Sequence, residues 1–366
     1  MKAAVLGIGT ELTDGQIVNK NASWISKKLK DLGMTTKAHL VVPDERPLML
    51  EGIEFCAAKA DLIFITGGLG PTSDDFTRDV VADWAGKKLT FDEKSWQHVN
   101  DRLTSRGYVV KEIQRQQCFF PEGATILANA EGTANGFSLE AHGKKVFVLP
   151  GPPREIEAVW GANIKEWLQS EARKLDPYLT RKWDTLGVGE SDVALIVEEA
   201  LKGIHVDIGY RVHLPYVEVK ASYYRSEEAG LEPAFARLTE ALQFCTLARD
   251  GEDAAEIFAE KLKQVHSLCV IDEVTGQFLM NRLMPVLRGF MTDQMWSFSK
   301  SREVKSPAGL HLHIFPKDEH SCEVSLEYKG RKVKDFITSP YKSANMKERR
   351  HQYFAEMALI FWLRNL

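Results

Sequence analysis

The stretch Thr66-Gly67-Gly68-Leu69-Gly70-Pro71-Thr72-Ser73-Asp74-Asp75 has the residue types of a phosphate and cation site. Three glycines let backbone N–H groups approach a phosphate closely, and a helix start behind them adds partial positive charge. Asp74 and Asp75 add hard oxygen donors; a magnesium-type ion takes one or two of these and completes its shell with water and substrate phosphate. A tight turn with an Asp cap would need one aspartate and no three-glycine run. A second loop, Gly7-Ile8-Gly9-Thr10-Glu11-Leu12 with Gly15 to Asn21 behind it, offers Glu11, Asn19 and Asn21. It opens like GxGxxG, but Leu12 stands at the third glycine, which weakens a dinucleotide reading. Asn21 either caps a helix beginning at Ala22 or faces the ligand. In a third loop, Pro150-Gly151-Pro152-Pro153-Arg154-Glu155, the prolines fix a turn and open a helix, and Arg154 is a candidate phosphate contact. Gly132 to Phe137 reads as another tight glycine turn. No loop carries a Walker A lysine, and GxSxG is absent. His311 and His313 share one side of an alternating strand, the pattern of a solvated face with no third ligand adjacent.

These loops need a scaffold that brings them to one edge. Ala3–Ile8 is a short continuous apolar run, the pattern of a strand buried on both faces; Asp61–Thr66 is another strand and Val146–Leu149 another buried one. Thr36–Val42 is a further strand. Helices are expected over Ala22–Leu32, Arg46–Ala60, Thr77–Ala85 and Asp92–Arg106, and a long one carries Ile156, Val159, Trp160, Ile164 and Trp167. Alternating βα units predict an α/β fold, a parallel sheet with helices on both faces. Such sheets bind ligands beyond the carboxyl ends of their strands, where the three loops fall. From about Leu175 the pattern changes to a small α+β unit. Ser191 is expected to cap a helix, strands run over Val206–Val212 and Val217–Tyr223 with Leu214-Pro215 as their turn, and a helix covers Pro233–Cys245. From about Gly251 come a helix (Ala254–Val265), a strand (Leu268–Ile271), a helix (Thr275–Leu287), three alternating strands and a C-terminal helix.

With 366 residues, two or three domains are expected. A net charge of −4 gives no global pull toward nucleic acid or anionic lipid. No apolar run reaches the ~18–20 residues of a membrane span. The apolar start stops at Gly7, short of a signal-peptide core, and reads as a buried strand. Five cysteines, odd in number and far apart with no CxxC, indicate neither a disulfide framework nor a zinc site and fit a reduced, cytoplasmic protein.

In this order the segments GIGTEL (Gly7–Leu12), GQIVNKNA (Gly15–Ala22), TGGLGPTSDDFTR (Thr66–Arg78), PEGATIL (Pro121–Leu127), GTANGF (Gly132–Phe137) and VLPGPPREI (Val148–Ile156) resemble the competence/damage-inducible CinA family and its molybdopterin-binding-like (MoCF) first domain. The resemblance implies a three-layer MoCF-like domain over 1–170, a KH-type α+β domain over 175–250 around Leu186–Ser191, and an α+β CinA C-terminal domain over 251–366. It implies hydrolysis of the pyrophosphate of ADP-ribose to AMP and ribose 5-phosphate, with a divalent metal (Mg, Mn or Co) and potassium. On this reading Asp74 and Asp75 are catalytic and, with Glu11, hold the metal, while backbone amides of Gly67–Gly70 stabilise charge on phosphate oxygens. Thr10, Asn19, Lys20, Asn21, Gly67, Gly68, Gly70, Thr72, Ser73, Gly132, Gly151 and Arg154 form the substrate surface, and Arg78 joins Lys20 as a phosphate contact. A homodimer is expected, without nucleic acid or membrane partners.

The chain departs from the family in three places. Gln114 to Cys118 replaces Asn-x-x-Gln-Ala, and Asn135 stands where proline is usual. At the family's nicotinamide-mononucleotide amidase motif, Ala-Glu-Ser-Cys-Thr-Gly-Gly, this chain reads Ile271-Asp272-Glu273-Val274-Thr275-Gly276-Gln277. Glu273 takes the place of the nucleophilic serine, and a carboxylate cannot do that serine's acyl transfer, so a degenerate, inactive domain is expected. Two other readings compete: a domain that holds a pterin or nucleotide without turnover, and a dimeric scaffold. No GXXG with basic flanks occurs in the middle domain, against RNA binding there.

Overall fold

The computed structural model describes residues 1–366 except 214, 251, 288–294 and 300–308. Leu214 of the expected Leu214-Pro215 turn and the Gly251 boundary therefore lie outside the described residues. The chain forms two compact units, Met1–Tyr178 and Leu179–Leu366. Among the described residues no helix is long and apolar enough to cross a membrane.

The first unit runs β1 (Lys2–Ile8), α1 (Thr10–Thr13), α2 (Lys20–Asp31), β2 (Thr35–Val42), α3 (Arg46–Lys59), β3 (Leu62–Thr66), α4 (Thr77–Trp84), β4 (Leu89–Phe91), α5 (Glu93–Ser105), a 3₁₀ turn (Glu112–Cys118), β5 (Phe119–Pro121), β6 (Thr125–Leu127), β7 (Gly136–Ala141), β8 (Lys144–Leu149), α6 (Pro153–Val159) and α7 (Lys165–Ala172). Its main sheet has the order β2-β1-β3-β8-β7-β6. The first four strands are parallel, as expected; β7 and β6 are antiparallel and complete the sheet as a mixed one. The expected glycine turn at Gly132–Phe137 thus ends in a strand that begins at Gly136. That strand escapes a pattern search because Gly136 to Leu139 are all buried, leaving no alternation to see.

Alternate residues of the central strands serve two cores, which is why the runs are continuously apolar. Ala4, Leu6, Ile63, Ile65, Val146 and Val148 pack with Met49, Ile53, Val80 and Val81 on one face. Ala3, Val5, Leu62, Phe64, Phe147 and Leu149 pack with Ile25, Leu29, Ile156, Val159 and Trp160 on the other. The expected long helix is interrupted by a π turn at Trp160–Ile164, between α6 and α7. There Asn163 reaches sideways: its amide donates to the Ala128 carbonyl at 3.0 Å and its oxygen accepts the Ala128 N–H at 3.3 Å.

The second unit holds two sheets. The first joins β9 (Tyr178–Leu186), β10 (Asp207–His213), β11 (Tyr216–Tyr224) and β12 (Thr246–Arg249) in the order β10-β11-β9-β12, under α8 (Glu190–Ala200) and α9 (Glu228–Ala241). Ser191 is not the cap of α8. Gly189 holds that position, and Glu190 and Asp192 place negative charge in the first turn, where the helix dipole favours it. Likewise α9 starts before Pro233 and carries it inside. The second sheet joins β13 (Ser267–Asp272), β14 (Met295–Ser299), β15 (Leu310–Pro316), β16 (Ser321–Tyr328) and β17 (Arg331–Thr338) in the order β14-β13-β15-β16-β17. Helices α10 (Ala254–Leu262), α11 (Phe278–Leu287) and α12 (Lys347–Asn365) share its core. A polar knot ties the two halves: the Tyr216 hydroxyl donates to Glu356, Arg282 meets Glu356 at 2.7 Å, and Arg282 meets Asp253 at 2.8 Å. His311 and His313 are half-buried on their strand, not on an open solvated face.

Candidate active site at the strand ends

Strand register sets the site. Gly7 pairs with Thr66, and Thr66 with Leu149, so the three loops leave the parallel sheet side by side. Ile8 pairs with Val42, which brings a fourth loop, carrying Asp44, to the same edge. The glycine loop turns through left-handed backbone, φ +102° at Gly67 and +65° at Gly68. A side chain at Gly67 would meet the Ile8 carbonyl, and one at Gly68 the Thr77 hydroxyl, so both positions require glycine.

The loop is held from behind. The Thr77 hydroxyl donates to the Gly67 carbonyl at 3.0 Å, and Arg78 donates to the Leu69 carbonyl at 2.6 Å. Gln116 donates to the Thr72 carbonyl at 2.7 Å. The Gly67 N–H donates to Leu149 at 3.1 Å and is unavailable to a ligand, contrary to expectation. The N–H groups of Gly68, Leu69 and Gly70 have no acceptor among the described residues. One Asp75 oxygen accepts the Thr72 N–H at 3.0 Å and the Thr72 hydroxyl, which orients that carboxylate. Asp74 is exposed; the nearby Thr72 side chain and its own backbone draw its carboxyl below the usual range.

Between the loops lies a cavity of about 560 Å³. Glu11, Asn21, Gly67, Gly68, Gly70, Asp74, Asp75 and Gly151 line it, as expected. So do three residues that the sequence reading missed: Asp44, Gln117 and Glu155. Its charged lining is five carboxylates (Glu11, Asp44, Asp74, Asp75 and Glu155), and among the described residues no lysine, arginine or histidine lines it.

The remaining candidates stand elsewhere. Thr10 is tied to Asp44 through its N–H at 2.8 Å and its hydroxyl at 3.0 Å. Asn19, not Asn21, caps α2, accepting the Ala22 N–H at 3.0 Å. This leaves Asn21 to donate to the Gly151 carbonyl at 2.8 Å. Lys20, Thr72, Ser73 and Arg154 are exposed and outside the lining. Arg78 is buried beneath the loop, where desolvation draws its guanidinium down to about 10 against the pull of Asp75. It braces the Leu69 carbonyl and does not line the cavity, where a phosphate contact was expected. Gly132 lies behind Thr133 and Ala134, its N–H on Asn129 and its carbonyl 3.0 Å from His98. Asn135 replaces the family proline and uses both ends of its amide, accepting the Asn129 N–H at 2.9 Å and donating to Ser95 at 3.0 Å.

Glu11, Asp74 and Asp75 share the cavity without converging on one point. Among the described residues, the group whose donor atoms all lie within 4.8 Å of one another is Asp184, His213 and Glu218, in the second unit. Glu218 already faces Lys220 at 3.0 Å, Lys182 at 3.1 Å and Arg211 at 3.3 Å. Burial pushes its carboxyl up, but Lys220 and Lys182 hold it below the usual range, as in an ion-pair cluster.

At the amidase-motif position, Asp272 accepts the N–H groups of Val274 and Thr275 at 3.0 and 2.8 Å and the Thr275 hydroxyl. Glu273 stands in that turn at the serine position, followed by Gly276 at φ +63° and Gln277 at φ +93°.

A family model described as "Probable molybdopterin binding domain" matches residues 4–170. A competence-damage inducible protein of Clostridium novyi is 32% identical over 318 residues, covering 83% of this chain and 75% of its own length. One of Alkaliphilus oremlandii is 30% identical over 317 residues, with coverages of 83% and 75%. Among solved structures, the CinA protein of Thermoplasma acidophilum, its function given as unknown, is 32% identical. It covers 45% of this chain and 96% of its own, at a TM-score of 0.42.

Proposed function

The chain belongs to the competence-damage inducible (CinA) family, and from that premise we propose that its first unit hydrolyses the pyrophosphate of ADP-ribose with the help of divalent cations. The observation that carries this reading is the cavity lining: five carboxylates and no cationic side chain among the described residues. A pyrophosphate cannot enter such a cavity bare, because like charges at close range repel strongly where water is scarce. Glu11, Asp74 and Asp75 each offer the hard oxygen that Mg²⁺ or Mn²⁺ prefers; such an ion takes one or two of them, with water and phosphate filling the rest of its shell. When bound, the cation polarises a phosphoryl oxygen and lowers the pKa of water.

The chain's own residues do the rest. Asp74, held ionised, and Asp75, oriented by Thr72, present charge to the cation. The free N–H groups of Gly68, Leu69 and Gly70 receive the phosphate oxygens as negative charge develops on them. Thr77 and Arg78 keep those N–H groups aimed by fixing the carbonyls beside them. The balance is one water added across the P–O–P bridge, giving AMP and ribose 5-phosphate.

The test is AMP release from ADP-ribose with Mg²⁺, Mn²⁺ or Co²⁺, with and without K⁺, against chelated controls. Activity that requires the divalent ion and disappears in Asp74→Asn supports the reading. Full activity in that variant, or in chelator, overturns it. The family model's description favours a second reading, a pterin or nucleotide held without turnover. Metal-dependent retention of ADP-ribose without AMP release would select it.

A further inference from the structure

Gln117 sits at the end of the 3₁₀ turn Glu112–Cys118, lines the cavity, and is only 2% exposed. Its Oε1 is shielded from solvent and makes no hydrogen bond. The neighbouring Gln116 contrasts with it, being spent on the carbonyls of Thr72 and Gly70. A buried carbonyl oxygen left without a partner is costly, and folded proteins rarely carry one without a use. A group that lines a ligand cavity has its partner supplied when the ligand arrives.

We infer that Gln117 is a specificity residue that accepts a hydrogen bond from a neutral donor on the ligand, a sugar hydroxyl or a base amine. This rests on the nucleotide-sugar reading above. The lone acceptor decides the class, because an ionised pyrophosphate offers acceptors only. The surrounding carboxylates accept as well, so a hydroxyl or amine placed among them finds Gln117 as a neutral partner that adds no negative charge to the cavity.

The experiment compares the parent with Gln117→Met, which keeps length and removes both amide functions. Binding with Mg²⁺ is measured by calorimetry for ADP-ribose, for analogues lacking a single ribose hydroxyl or the adenine amine, and for inorganic pyrophosphate. Melting of each ligand-free protein is followed by circular dichroism. The expected result is about a tenfold loss of ADP-ribose affinity. That loss should vanish against the one analogue lacking the donor and be absent for pyrophosphate, and the arm in which it vanishes tells hydroxyl from amine. Ligand-free Gln117→Met should melt no lower than the parent, since an apolar side chain removes an unpaired buried carbonyl oxygen. A lowered melting temperature, an unchanged affinity, or an equal loss across all ligands overturns the inference. If the parent itself fails to bind ADP-ribose, the proposed function falls, while the melting comparison still reads Gln117.

Discussion

The Asn21 side-chain amide donates to the Gly151 carbonyl at 2.8 Å, joining residues 130 positions apart. It fastens the start of α2 to the proline loop across the cavity rim. Asn21→Ala should lower kcat/KM for ADP-ribose about tenfold by letting the rim spread. Stability should fall by about 1 kcal/mol, the worth of one such bond. Steady-state kinetics and urea unfolding measure the two effects, and full activity would show that the rim does not need this tie.

Gln277 keeps a left-handed φ of +93° at the position where the family motif has its second glycine. A side chain there costs roughly 1–2 kcal/mol, and glycine returns part of that gain as unfolded-state entropy. Gln277→Gly should therefore stabilise the chain by about 1 kcal/mol. A rise in the urea midpoint at constant m-value would show it.

Glu273 in place of the nucleophilic serine predicts that the protein does not convert nicotinamide mononucleotide to its nicotinate form. Ammonia release is the readout. Turnover above that of a heat-denatured control would overturn the expectation of an inactive domain.

All five cysteines are buried and unpaired. Burial pushes the thiols of Cys56, Cys118 and Cys245 up to about 11 and that of Cys322 to about 12. A raised thiol pKa means the neutral form belongs to the folded state. The resulting stability is fully present below pH 9, the ordinary thiol value, and is lost as pH climbs toward 11–12. Each thiol contributes a slope of roughly 1.4 kcal/mol per pH unit in that window. Native protein at pH 8 should react slowly with Ellman's reagent, and urea midpoints should fall between pH 9 and 11. A fast-reacting thiol at pH 8 would contradict this burial.

The strand ends were legible in the sequence because burial on both faces leaves unbroken apolar runs, and each run stops at its loop. What each loop side chain faces was not. Arg78 follows Thr77 at the start of α4, and one step of helical rotation puts it beneath the loop, not in the cavity. Asp44 became visible only once β2 was seen to pair with β1, since that pairing alone brings its loop to the site. Asn19 and Asn21 are chemically alike; the helix start at Lys20 decides which one caps. The antiparallel edge stayed hidden because β7 is too buried to alternate.

The π turn at Trp160–Ile164 acts as a phase setter. Its extra residue delays the helix by about 100°, so that Ile164 and Leu168 both return to the core after Asn163 has turned outward to Ala128. Asn163 then serves as a one-residue strand, occupying both hydrogen-bonding groups of Ala128, just past the outermost strand β6. Beyond β6 the sheet has a stopper at that point, where another chain would otherwise find a donor and an acceptor to pair with. Deleting Asn163 from this turn would restore regular winding with Leu168 still facing the core, and would uncap the sheet at Ala128.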